Sequence, residues 1–144
     1  MKESIHIPQP LLAEHLLIGR PGPHYLTGEI TIDHDLRGLD ATAQFPITDP
    51  SIAGRGHVNI AHYLFGIWNG SHILIAQNGF DSALSTGGTW KTPKFARPDI
   101  PMRLRVGILD MDVRERVATG VIEATYRIGD EEYAKFTSDF FARR

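Results

Sequence analysis

The stretch from Val58 to Gln77, VNIAHYLFGIWNGSHILIAQ, decides the fold that this sequence predicts. A helix that is apolar nearly all round is expected to be buried on most sides. At about 1.5 Å per residue, its roughly 20 residues span ~30 Å, the width of a small domain. We therefore predict a central helix in which Leu64 and Trp68 are buried, ended by Asn78-Gly79. Its apolar residues recur at helical spacing and are Ile60, Tyr63, Leu64, Ile67, Trp68, Ile73, Leu74 and Ile75.

Segments with the residue types of strands flank this helix on both sides. The apolar pattern changes phase between Ile108 and Leu109, which predicts a β-bulge at that point. A short helix is predicted over 8–18, where prolines stand near its start. Strands are predicted over 24–34 and 41–47, with a turn at 36–40 between them, and then over 85–96, 102–113, 117–128 and 133–142.

A single helix with so much apolar surface cannot lie on a flat sheet without exposing its back. A sheet that curls around the helix solves this burial problem. The predicted fold class is therefore α+β, with an antiparallel curled sheet wrapped around one long central helix and a short N-terminal helix. The length of 144 residues suits a single domain over 1–144.

Composition excludes several kinds of chemistry. Cysteine is absent, so disulfides, thiolate metal sites and cysteine nucleophiles are impossible. The formal net charge is −2, from 15 Lys and Arg against 17 Asp and Glu, which argues against general nucleic-acid binding. The stretch 60–76 carries His62, Asn69 and His72 and is too polar for a membrane span. With no targeting signal visible, we expect a cytoplasmic protein that binds neither nucleic acid nor membrane and has no metal and no cofactor.

The order of elements, with the long helix after the second strand, is similar to the hotdog fold. Phe95-Ala96-Arg97-Pro98-Asp99-Ile100-Pro101 resembles the F-x-R-P-v-x-P-G-D element that enters the third strand of hotdog dehydratases and thioesterases, with Pro101-Met102 in place of Pro-Gly-Asp. Gly129-Asp130-Glu131-Glu132-Tyr133 resembles the hairpin that precedes the last hotdog strand. The resemblance runs from about Tyr25 to Arg144 and implies a single hotdog domain.

The head of the central helix, Gly56-His57-Val58-Asn59, resembles that of the FcoT-type acyl thioesterases. Dehydratases of the FabZ and MaoC kind carry a Gly-His-Phe-Pro element and an acidic residue on the helix, whereas residues 60–77 contain neither Asp nor Glu here. The resemblance implies hydrolysis of an acyl-CoA or acyl-carrier-protein thioester. Dehydratase or lyase action on a β-substituted acyl thioester is the second interpretation. A non-catalytic acyl-binding subunit is the third, because no carboxylate base stands at the helix head.

The residues of the helix head suit thioester chemistry. Free backbone N–H groups and the helix dipole at this end favour a developing oxyanion. His57 is the titratable group there that exchanges a proton near neutral pH, although it also reads as a surface loop histidine. Asn59 either caps the helix or orients a water molecule or the thioester carbonyl. Gly56 allows close backbone approach, and Arg55 is predicted to hold a phosphate or carboxylate of the substrate.

Other polar and aromatic residues are weaker candidates. The resemblance implies tyrosines near the site, and Tyr25 matches one of them. Ser51 is the polar residue in the loop where another tyrosine is expected. Tyr63 is predicted to lie in the core or in the wall of an acyl pocket. His62 and His72 are interpreted as core or interface residues, because no acidic third ligand stands at metal spacing.

Five cations accompany a single acid, Asp99, between 91 and 105. They form either a solvated strand face or a docking surface for the phosphates of coenzyme A or phosphopantetheine, or for an acidic carrier protein. Arg97 is the one that we predict to bind substrate. The cations are Lys91, Lys94, Arg97, Arg103 and Arg105.

Self-association follows from the predicted fold. One hotdog unit exposes a sheet edge and half a substrate tunnel. We therefore predict a homodimer, or a multiple of dimers, with two sites at the shared interface.

Overall fold

The computed structural model describes residues 5–7, 25–45, 58, 60–98 and 100–144. Within these residues the chain forms seven strands and one helix. The predicted short helix over 8–18 lies outside the described residues. The elements in chain order are β1 Ile5–Ile7, β2 Leu26–Ile32, β3 Gly38–Ala43, α1 Ile60–Gln77, β4 Ser82–Lys91, β5 Met102–Arg114, β6 Val117–Ile128 and β7 Glu131–Arg143.

The strands form one antiparallel sheet in the order β1-β2-β3-β5-β6-β7-β4. The sheet is a curled half-barrel around α1, so the predicted fold class is confirmed. Strand β4, which follows the helix, crosses to the far edge of the sheet and pairs there with β7. Its chain direction returns along the helix, so that Trp90 near its end lies against Tyr63 near the helix start.

Local sequence signals located several features correctly. The register of β5 against β6 shifts between Ile108 and Asp110, which confirms the predicted bulge. The helix ends at Gln77, and Gly79 adopts a φ of 89°, a left-handed conformation that favours glycine. Gly129 turns the β6–β7 hairpin at a φ of 60°.

The boundaries of β3 and β4 were predicted wrongly, and β1 was not predicted. Residues 38–40, expected in a turn, belong to β3, because Gly38 pairs with Gly107 of β5 and a tighter turn over 33–37 makes the reversal. Strand β4 starts and ends earlier than the predicted 85–96. Pro93 follows its end, and proline has no backbone N–H to donate to a strand neighbour.

The sheet-facing side of α1 packs closely on the strands through glycines. A Cβ at Gly70 would lie 3.1 Å from the side chain of Val106 and 3.5 Å from that of Leu104, so glycine permits a close approach here. At Gly66, one turn earlier, a Cβ would meet the hydroxyl of Tyr126. That hydroxyl donates a hydrogen bond of 2.6 Å to the carbonyl oxygen of Tyr63. The glycines therefore let a strand side chain reach the helix backbone.

The opposite side of α1 is less buried than the sequence predicted. Leu64 has 37% of its surface exposed, and Trp68 is half-buried. The expectation that both are buried is wrong for the single chain. Both residues border a groove that the described residues leave open.

Candidate active site

A cavity of about 500 Å³ runs between α1 and the far edge of the sheet. Pockets of this size hold small organic ligands. The helix wall is a single stripe at helical spacing, and the sheet wall comes from β4, β6 and β7. Hydrocarbon groups dominate the lining, which suits an apolar ligand. The lining residues are Ala61, Leu64, Phe65, Ile67, Trp68, Ser71, His72, Ile75, Ala83, Leu84, Ser85, Gly88, Ile122, Phe136, Ser138 and Phe140.

The few polar groups of the groove lie toward the C-terminal half of α1. His72 Nδ1 is 3.0 Å from the carbonyl oxygen of Trp68, which only accepts, so Nδ1 carries the proton of this bond. The rings of Trp68 and His72 also meet edge to face, with their centroids 4.2 Å apart. Across the groove, the hydroxyl oxygens of Ser85 and Ser138 lie 2.5 Å apart.

A buried tyrosine–histidine pair lies at the first turn of α1. The hydroxyl of Tyr25 and Nδ1 of His62 are 2.7 Å apart, and both side chains are buried. The backbone N–H of Tyr25 donates to the side-chain oxygen of Asn69 at 3.1 Å. Phe45 packs against the Tyr25 ring with centroids 4.8 Å apart. These contacts hold the Tyr25 side chain against His62 in the first turn of α1.

The predicted helix-head residues lie outside the described part of the chain; they are Ser51, Arg55, Gly56, His57 and Asn59. Val58, between two of them, is described and buried, and its N–H donates to the carbonyl oxygen of Ala96 at 2.9 Å. Exposed Arg97 follows Ala96 directly. The structure therefore ties the segment around Arg97 to Val58, two residues before the helix.

Tyr63 lies in the aromatic core and is not among the groove-lining residues. Its ring contacts those of Phe45, Trp90 and Tyr126, with centroids 4.8 to 5.6 Å apart. Its hydroxyl is buried and has no hydrogen-bond partner within the described residues. Burial raises the pKa of Tyr63 to about 12. The phenol therefore stays neutral, and its predicted contact with substrate stays a prediction.

Three of the five cations predicted to form a docking surface instead make ion pairs within the chain. They are Lys94, Arg103 and Arg105. Lys94 lies 2.7 Å from Glu131, and their hydrogen bond raises the pKa of Lys94 and lowers that of Glu131. Arg103 lies 3.4 Å from Asp40.

Arg105 is paired more tightly and loses its predicted availability as a docking group. It lies 2.6 Å from both Asp33 and Asp40, and hydrogen bonding to Asp33 leads the effects that raise its pKa. Lys91 and Arg97 are exposed and make no ion pair with another residue that the structure describes. They are the cations left to meet an anionic partner.

Two further findings concern the described residues alone. They contain no group of three or more His, Asp or Glu side chains arranged to hold a metal ion. None of their helices has both the length and the apolar character that a membrane span needs.

Comparison with known proteins connects this architecture to one fold. No family model and no curated protein matches the sequence. Among solved structures, a thioesterase superfamily protein is 16% identical to this chain, with a TM-score of 0.58. The match covers 78% of this chain and 52% of that protein. A hypothetical thioesterase from Streptococcus pneumoniae, solved with coenzyme A, is 13% identical with a TM-score of 0.58, covering 75% of this chain and 81% of its own.

A third such structure, a thioesterase-named protein from Shewanella oneidensis, is 11% identical with a TM-score of 0.59, covering 74% of this chain and 76% of its own. The chain is therefore a hotdog-fold protein, as the resemblance implied.

The sequence did not single out the groove or the partner of Tyr25. The groove stripe of Leu64, Phe65 and Trp68 was visible as helical spacing, but the same spacing predicts a core face. The sequence did not identify the partner of His62, because their hydrogen bond joins residues 37 positions apart. The pairing of Ser85 with Ser138 joins residues 53 positions apart and was equally hidden.

Proposed function

We propose that this protein is a cytoplasmic enzyme that hydrolyses acyl thioesters of coenzyme A or of an acyl carrier protein. The observation that carries the proposal is the apolar groove along α1, which offers a hydrocarbon chain a lining that excludes water. The hotdog fold is shared with structures named as thioesterases, and one of these was solved with coenzyme A. Both facts support a thioester as the substrate class.

The chemistry that we propose takes place at the helix head. His57 accepts a proton from water as that water attacks the thioester carbonyl carbon, and it returns the proton to the departing thiolate sulfur. Asn59 orients the water or the carbonyl, while N–H groups of the first turn stabilise the oxyanion. Ser51 is a weaker candidate, since nothing places a histidine–carboxylate pair beside it. Tyr25 does not contact the substrate in this proposal and acts indirectly, through its hydrogen bond with His62.

Anionic parts of the carrier are proposed to bind near the helix head. Arg97 adjoins the residue whose carbonyl holds Val58, and Lys91 ends strand β4. Together with Arg55, they supply positive charge for the phosphates of coenzyme A or phosphopantetheine, or for an acidic carrier protein.

A homodimer completes the proposal. Within the described residues, the long, mostly exposed strand β4 pairs with a strand on one side only, and the groove beside it is open on one side. Antiparallel pairing of two β4 strands is self-complementary, as a two-fold interface requires. A second copy on this edge would cover both grooves.

The test is a released-thiol assay over a panel of acyl-CoA and acyl-carrier-protein substrates, with a parallel absorbance channel for enoyl products. Thiol release that depends on the enzyme supports hydrolysis. Enoyl formation without thiol release would instead support the dehydratase or lyase interpretation. Binding without either product would support a non-catalytic acyl-binding subunit.

The helix-head mechanism predicts specific losses of turnover. His57→Ala should lower the rate by ~10²- to 10⁴-fold, the usual contribution of general acid–base catalysis. Asn59→Ala should lower it by about 10²-fold if the amide contacts the oxyanion. Each variant is first checked for folding by circular dichroism. Near-wild-type turnover in both would contradict the mechanism, and a loss of stability alone in Asn59→Ala would make that residue a helix cap.

A further inference from the structure

A pair of serine hydroxyls interrupts the apolar wall of the groove. Ser85 on β4 and Ser138 on β7 both line the cavity, and their hydroxyl oxygens are 2.5 Å apart. Ser138 is buried, with 4% of its surface exposed, whereas Ser85 is exposed. The register of β4 against β7 shifts between Ser85 and Gly87, and bulges of this kind re-aim side chains. The bulge brings a polar position into a surface that otherwise suits hydrocarbon.

The contacts of Ser138 favour one direction for this hydrogen bond. Its Oγ lies 3.0 Å from the carbonyl oxygen of Gly87 and 2.9 Å from that of Asp139. Carbonyl oxygens only accept, so the single hydroxyl proton of Ser138 is used on them. The two carbonyl acceptors around Ser138 Oγ therefore favour Ser85 as the donor in the contact between the serines. Ser85 then presents oxygen lone pairs, and no proton, to the groove.

We propose that the groove selects acyl chains that carry a hydroxyl group, and that this hydroxyl donates a hydrogen bond to Ser85 Oγ. The inference rests on the proposed function, because it names the substrate class of the same groove. A hydroxyl supplies the proton that Ser85 lacks, whereas an oxo group would set one acceptor against another.

The first test compares dodecanoyl-CoA with its hydroxylated forms, substituted at the β, a central or the ω carbon, and with the corresponding oxo forms. One hydroxylated isomer is expected to exceed the unsubstituted thioester in kcat/KM by about five-fold, the effect of one neutral hydrogen bond. The matching oxo form should fall below the unsubstituted one. Equal values across the series would overturn the proposal.

Variants assign the preference to the serine pair. Ser85→Ala should bring the ratio of hydroxylated to unsubstituted kcat/KM close to one. Ser138→Ala releases the proton of Ser85, so the ratio of hydroxylated to oxo substrate should fall close to one. Ser82→Ala makes the same change at the start of β4, outside the groove lining, and should keep the wild-type ratios. If Ser85→Ala instead raises KM equally for every coenzyme A thioester, Ser85 contacts the carrier and the proposal is wrong.

A binding measurement separates this proposal from the proposed function. Trp68 lines the groove, so its fluorescence reports titration with dodecanoic acid and with its hydroxylated isomers. One hydroxylated acid is expected to bind about five-fold more tightly than dodecanoic acid, and Ser85→Ala should remove the difference. This outcome would stand even if no thioester were hydrolysed, which would overturn the proposed function alone. Equal affinities for all the acids would overturn the selection of a hydroxyl.

Discussion

Tyr63 buries a hydroxyl that has no hydrogen-bond partner within the described residues. A buried polar group in that condition costs about 1–3 kcal/mol. Tyr63→Phe removes the hydroxyl and keeps the ring, so the free energy of unfolding should rise by about 1 kcal/mol in a urea titration. A fall in the free energy of unfolding would show that the hydroxyl makes a stabilising hydrogen bond. A fall in turnover in a variant of equal or higher stability would support the predicted substrate contact.

The same residue predicts a loss of stability in alkaline solution. Burial raises the pKa of Tyr63 from 10.0 to about 12, so the unfolded chain releases this proton first. The stability that this pKa shift contributes is fully present below pH 10 and is lost as the pH rises from 10.0 to about 12. Unfolding measured across this range should show a smaller decline in Tyr63→Phe than in wild type. Tyr126, whose pKa is also raised by burial, keeps part of the decline in both proteins.

The Tyr25–His62 hydrogen bond predicts a structural cost that is separate from chemistry. Tyr25→Phe leaves a buried ring nitrogen of His62 without the hydroxyl at 2.7 Å, which should lower the free energy of unfolding by about 1–2 kcal/mol. The proposed role of Tyr25, acting through His62, predicts that the pH dependence of kcat also shifts. Reduced stability with an unchanged pH profile would show that the pair only supports the fold.

At the scale of elements, one ion-pair cluster links β3 and β5 with the residue that follows β2. Arg105 of β5 lies 2.6 Å from Asp40 of β3 and from Asp33, which follows β2. Arg105→Met removes the cation between the two carboxylates and leaves only Arg103, 3.4 Å from Asp40, to offset their repulsion, so the free energy of unfolding should fall by about 1–2 kcal/mol. High salt should narrow the difference from wild type, because it screens this repulsion. KM for acyl-CoA should stay unchanged, since Arg105 serves the fold.

Arg114→Met is the matched control. Its partner Asp112 lies 3.0 Å away, but 84% of the Arg114 side chain is exposed. Exposed pairs of this kind contribute little, so the free energy of unfolding should stay within about 0.5 kcal/mol of wild type. Equal losses in the two variants would show that the cluster at Arg105 has no special weight.

At the scale of the whole molecule, the open groove and an edge of β4 that pairs with no described strand predict a dimer. Light scattering at micromolar concentration should give about 32 kDa, twice the 16.0 kDa of one chain. Leu84 lies on β4 with 51% of its surface exposed, and Leu84→Lys places a charge on the proposed contact. This variant should scatter as a monomer and lose affinity for long acyl chains, because its groove stays open.

Leu109→Lys places the same charge on another leucine, 61% exposed at the β5 bulge, and should remain a dimer. A wild-type protein that scatters as a stable monomer would remove the model of a shared site. Dissociation of both variants would show that the contact is not confined to β4.

The sequence determined the features that depend on neighbours along the chain. Helical spacing located α1, a change of apolar phase located the bulge after Ile108, and glycine marked the end of the helix and the β6–β7 turn. Apolar surface on more than one side of the helix was enough to predict a sheet curled around it. These predictions succeeded because each depends on backbone geometry repeated over a few residues.

Only the tertiary structure decided which residues meet. It paired Tyr25 with His62 and Ser85 with Ser138, and it left Leu64 beside an open groove that the sequence predicted as core. It also turned Arg105 from a docking cation into an internal ion pair with Asp33, 72 positions away. Apolar spacing is identical for a core face and a ligand-binding face. The difference arises from where the curled sheet stops covering the helix, which depends on contacts between distant strands.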